Sequence, residues 1–136
     1  MTDIKDLRVD IERIKQDIYT IGRFGYNPDD QGVYRQGFSN EDMRARFWLM
    51  EQMQELALDV EMDGAANVIG RYGSAEDKVL IIASHLDSVP AGGMFDGVAE
   101  IVLHAHGFGE QARRVRNAHD VSAGIVVAVF PGPRQA

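Results

Sequence analysis

The sequence contains no cysteine, which excludes disulfides, thiolate metal sites and a cysteine nucleophile together, and fits a cytoplasmic chain. It has no basic excess either: 14 Lys and Arg stand against 21 Asp and Glu, a formal net charge of −7. Its few aromatics do not alternate with a basic stripe. Nucleic acid and an anionic membrane surface are therefore not the expected partners. Long apolar runs are also missing. The longest, Val79–Ala83 and Ala123–Phe130, fall far short of the ~20 residues that span a bilayer, and the charged N-terminus has no apolar signal core. What is present is 45% hydrophobic and 26% charged over 136 residues, the balance of one soluble globular domain.

Apolar spacing predicts a helix over residues 4–22, where Ile4, Leu7, Ile11, Ile14, Ile18 and Ile21 recur at threes and fours. Gly22 and Gly25 end it, and Tyr26–Gly32 is turn chemistry. A second helix is expected from Ser39, with Asp42 at its third position and Phe38 placed to staple onto Met43. Met43, Phe47, Met50, Met53 and Leu56 are expected on its buried face, as core filler and not a cofactor box. The period then drops to two, with Val60 and Met62 sharing a face and Asp63-Gly64 signalling a hairpin. Lys78–Ser84 is an unbroken apolar run, expected to be a strand buried on both faces of an α/β sheet. Residues 96–115 are weakly helical and 123–130 suits a further strand. The expected fold is α/β, a mixed sheet flanked by helices.

The chemistry gathers where the apolar strand ends. His85 is the first residue past the apolar run able to ligate a metal, and Asp87, two residues on, projects to the same side of an extended segment. From there it can accept the second imidazole N–H and fix the ring. Asp96 opens the next helix after a turn through Pro90, Gly92 and Gly93, and a carboxylate there can bridge two cations. His-x-Asp alone is common, and Asp96-Gly97 alone could be a cap or turn. The whole run after a strand is far more specific. On a helix His104 and His106 would diverge by about 200° and could not share a metal; with His119 they are expected to be solvated.

The run Ala83–Val98 resembles the first metal-site motif of the M20 family of metallopeptidases and amidohydrolases. Upstream, residues 21–73 resemble the N-terminal region of the N-carbamoyl-L-amino-acid hydrolase and allantoate amidohydrolase branch, and the likeness covers roughly residues 10–98. The resemblance implies that residues 1–136 form the N-terminal portion of a zinc-peptidase-like catalytic domain. It implies His85 as ligand of one metal ion, Asp96 as the carboxylate bridging two, and Asp87 as the catalytic-site residue that orients His85. The cofactors would be two divalent ions, zinc or manganese, with cobalt or nickel as further candidates. The partner would be a small ureido or carbamoyl substrate: an N-carbamoyl-L-amino acid, allantoate or ureidopropionate, cleaved at a linear amide or carbamoyl C–N bond by a metal-bound hydroxide.

The pattern is incomplete here. The family's Glu-Glu pair, its general base and a ligand, occurs nowhere in the sequence. Its lid or dimerisation domain, through which members form homodimers, has no counterpart. From about Glu100 the likeness lapses, so residues 100–136 are read as a diverged helix and strand or as the product of a shifted reading frame, with truncation or frameshift favoured. The chain alone is then expected to hold one metal ion or none and to be a catalytically incomplete fragment.

Overall fold

The structure, a computed structural model, describes residues 9–73, 78–115 and 123–130, with side chains described over 9–73 and 80–107. Ile4, Leu7 and His119 lie outside the described residues.

Helix α1 is Ile11–Gly22, a later start than the spacing suggests. The cause is Asp10, whose carboxylate accepts the Arg13 backbone N–H at 3.1 Å and caps the helix there. Ile11 is 64% exposed, and among the described residues the buried stripe is Ile14, Ile18 and Ile21. Gly25 then turns the chain at φ +81°, where a Cβ would lie 2.5 Å from the Tyr34 carbonyl oxygen. A short ladder follows, β1 (Tyr26–Asn27) against β2 (Gly32–Val33). Asn27 and Asp30 side chains accept the Asp29 and Gly32 N–H groups and so form its turn.

Helix α2 is Asn40–Glu55. Ser39 Oγ accepts the Asp42 N–H at 3.2 Å, and Asp42 Oδ2 accepts the Phe38 N–H at 2.9 Å. Its buried face keeps part of the expected stripe: Met53 and Leu56 are buried and Met50 packs against the core, whereas Phe47 is 51% exposed, and Asp42, Ala45, Arg46 and Leu49 are buried beside them. Asp42 and Arg46 meet at 2.9 Å with both side chains fully covered. Together they behave as one neutral unit on a face where apolar spacing counts neither.

Strands β3 (Asp59–Met62) and β4 (Val68–Tyr72) form the expected hairpin. Its turn is made by Asp63, whose Oδ1 accepts the Ala65 and Asn67 N–H groups, while positive φ falls at Ala66 and not at Gly64. Strand β5 (Lys78–His85), helix α3 (Val98–Val115) and strand β6 (Ala123–Phe130) complete the order. The sheet runs β3-β4-β6-β5, antiparallel except for the parallel β5–β6 pair. It is a mixed sheet in an α/β fold.

All three helices share one core with the sheet, built on Ile18 and Ile21 of α1, Leu49 and Met53 of α2, Val68 of β4, and Val98, Ile101 and Val102 of α3. Each such side chain contributes on the order of 2 kcal/mol by burial. Strand β5 departs from expectation. Among the described strands it lies at the edge of the sheet, and its neighbours Leu80 and Ile81, which point to opposite faces, are 55% and 63% exposed. An unbroken apolar run reports side-chain type; it does not report which neighbours cover them.

Candidate functional site

His85 is the last residue of β5 and stands at the carboxyl edge of the sheet, the edge where open α/β folds gather ligand-binding groups. Its Nδ1 lies 3.0 Å from the Asp87 carbonyl oxygen and 3.4 Å from Asp87 Oδ1. Both are acceptors, an arrangement that suits a proton on Nδ1 and, in the neutral ring, a lone pair at Nε2 on the far side. There it faces Asp96 Oδ1 at 3.8 Å. The sequence expectation gave the orienting role to the Asp87 carboxylate; the nearer acceptor is that residue's own carbonyl.

Asp96 is 63% exposed and His85 37% exposed at the side chain, so solvent reaches the gap between them. A separation of 3.8 Å is too long for a hydrogen bond. It fits two donors that each approach one ion to about 2.0–2.2 Å. The donor set, one imidazole and one carboxylate, suits zinc or manganese. A third ligand is not at hand: among the described residues no three His, Asp or Glu side chains cluster as a metal-holding group.

Gly97 sets this geometry from beneath. At φ +69° it passes so close that a Cβ would lie 2.2 Å from the His85 carbonyl oxygen and 2.9 Å from His85 Nε2. No side chain fits, which makes Gly97 a determinant of the site that the Asp96-Gly97 dipeptide signalled only as a turn. Glu100 has a definite partner: its Oε2 accepts the Ser84 hydroxyl at 2.8 Å and ties α3 to the end of β5.

The segment after His85 is held by residues that apolar spacing and motif reading passed over. Ser88 Oγ donates to the Val33 carbonyl at 3.0 Å. Gly92 and Val33 exchange backbone hydrogen bonds at 2.9 and 3.0 Å. Arg35, fully buried, donates through Nε to the Leu86 carbonyl at 2.8 Å and through Nη1 to the Ile21 and Phe24 carbonyls at 2.9 and 3.0 Å. Burial pushes the Arg35 guanidinium down from its ordinary range, and the carboxylates of Asp42 and then Asp87 oppose that shift.

His106 corrects the expectation of solvated histidines. It is 5% exposed, and its Nε2 lies 2.6 Å from Asp17 Oδ2, joining α3 to α1. His104 is half-buried on the same helix and does not join His106 at a common metal-holding group. Nothing in the spacing of α3 would pair His106 with a residue of the first helix.

No family model matches the chain. It is 40% identical over 93 residues to the N-carbamoyl-L-amino-acid amidohydrolase of Paenarthrobacter aurescens, covering 67% of this chain and 22% of that protein. It is 37% identical over 112 residues to the corresponding protein of Geobacillus stearothermophilus, covering 81% and 26%. The crystal structure of an amidase of the hydantoinase/carbamoylase family from Burkholderia phymatum superposes with a TM-score of 0.73 at 30% identity, over 90% of this chain and 29% of that one. The chain thus spans about a quarter of the length of the curated relatives it matches.

Proposed function

We propose, on the premise that the chain is homologous to the hydantoinase/carbamoylase amidohydrolases over part of their length, that it serves hydrolysis of a non-peptide C–N bond in a small ureido or carbamoyl compound. The favoured substrate is an N-carbamoyl-L-amino acid, because relatives 37–40% identical carry that activity in their names. The observation behind the reading is the convergence of His85 Nε2 and Asp96 Oδ1 at 3.8 Å, with the other ring nitrogen turned onto Asp87. In this reading His85 and Asp96 hold divalent ions, zinc or manganese, and Asp87 fixes the ring. Such ions polarise a carbonyl and make water acidic enough to attack at neutral pH. Of the protein's own residues, Asp87 would keep the Nδ1 proton on its side, which leaves Nε2 free, and Gly97 would keep the ring in place.

A second reading follows from the ligand set. Two converging groups are fewer than the three protein ligands of a catalytic zinc, and the described residues supply no third. By itself the chain would then bind one ion weakly and turn over nothing. One experiment separates the two. The metal-stripped protein is titrated with zinc or manganese by calorimetry beside His85→Ala and Asp96→Ala, with ammonia release from an N-carbamoyl-L-amino acid assayed in parallel. Tight binding lost in both variants, with ammonia formed, supports the hydrolase. Weak binding lost in both, without ammonia, supports the second reading. Binding that neither substitution changes overturns both.

A further inference from the structure

His85 owes its orientation to a main-chain carbonyl, so whatever fixes the peptide at Asp87 fixes the site. One residue brackets that peptide on both sides. Arg35 Nε holds the Leu86 carbonyl at 2.8 Å, immediately before Asp87. Immediately after it, the Arg35 carbonyl accepts the Ser88 N–H at 2.8 Å, and the Arg35 N–H donates to Ser88 Oγ at 3.0 Å. The other end of the guanidinium is anchored on Ile21 and Phe24 at the end of α1. The same stretch of chain runs beside the Asp87 carboxylate at Gly37, where a Cβ would lie 3.4 Å from Asp87 Oδ2.

We infer that Arg35 is the positioning residue of the His85–Asp87 pair, acting through the Leu86 and Ser88 main chain to hold the Asp87 carbonyl under Nδ1. It touches neither a reacting atom nor the candidate ligands. Its effect passes through the tautomer: when the Asp87 carbonyl drifts, Nδ1 loses its acceptor and the proton is no longer confined to that nitrogen. Methionine at this position would fill much of the volume without any of the guanidinium's ties, and lysine would keep the charge without the fork that spans three carbonyls. The inference deepens the metal-site reading and rests on it for its functional meaning.

The test uses the whole chain with Arg35→Met, Arg35→Lys and the milder Ser88→Ala, each first shown to be folded by circular dichroism. Two quantities are read: the His85 tautomer from long-range nitrogen–proton NMR of the ring, and zinc affinity by calorimetry. In the parent protein the ring is expected as the Nδ1–H tautomer. In Arg35→Met and Arg35→Lys the Nδ1–H fraction should fall, with zinc affinity down about 10- to 100-fold, the usual effect of removing a residue that supports a ligand. Ser88→Ala should shift both in the same direction by less. If Arg35→Met does not fold, Ser88→Ala decides alone. Folded variants that keep the parent tautomer overturn the inference. A parent that binds no zinc removes the metal reading instead, and the tautomer shift still decides the role of Arg35.

Discussion

A glycine and a buried hydrogen-bonded pair show how much rests on single residues. Gly97 combines a left-handed backbone with a van der Waals contact that leaves no room for a methyl group. Alanine there costs about 1–2 kcal/mol for the backbone alone, and the 2.2 Å approach to the His85 carbonyl must also be relieved. Gly97→Ala should lower stability by about 2–4 kcal/mol in urea unfolding and should weaken metal binding, because relief requires the His85 ring or its strand end to move. Unchanged zinc affinity in a folded Gly97→Ala protein would separate the glycine from the site. Asp17 and His106 are the second case. Asp17→Asn keeps the shape and removes the charged acceptor of a 2.6 Å hydrogen bond, at a cost of about 1.5–3 kcal/mol. Urea unfolding checks it, and His106→Asn should lose a similar amount, with the double variant losing less than the sum.

At the level of elements, caps and turns were legible and faces were less so. Ser39 was recognisable as the start of α2 because its hydroxyl does what the sequence pattern promises. The alternation of Val60 and Met62 survives as the half-buried face of β3. On α2 the expected Met53 and Leu56 are buried, whereas Asp42 and Arg46 were not legible as buried because they pair with each other, and a pattern of apolar letters cannot register a charge that is met by its opposite. The end of α2 carries a correctable strain. Ala57 sits at φ 66° where the Leu58 N–H reaches the Met53 carbonyl at 3.1 Å and the Ala57 N–H reaches the Gln54 carbonyl at 2.9 Å. That pair of bonds is the helix-ending motif in which glycine is favoured. Ala57→Gly should therefore stabilise the protein by about 0.5–1 kcal/mol, the left-handed penalty outweighing glycine's extra freedom in the unfolded chain. Thermal unfolding measures it. A lower midpoint would mean that the alanine methyl packs better than the backbone argument allows.

For the whole molecule, the sequence carried the α/β class and the lineage together, since strand pattern and the His85–Asp96 run lie in the same stretch. It did not carry the partner of His106 or the openness of β5, which depend on neighbours far along the chain. The strand order has a further consequence, in folding kinetics. β6 is the last of the described strands, yet it lies between β4 and β5, and Val127 pairs with Gly70 on one side and Ile82 on the other. Until it docks, β5 has no hydrogen-bonded neighbour among the described strands and the β3–β4 hairpin is separate from it. A proline at Val127 removes a ladder bond from the centre of the sheet. Val127→Pro should therefore abolish amide-exchange protection in β5 as well as β4, while a hairpin that stays protected alone would show the two halves to be independent. Pairings this distant in sequence are slow to close. His85, whose register partner is Phe130 at the very end of β6, would reach its final place in the slowest step of refolding.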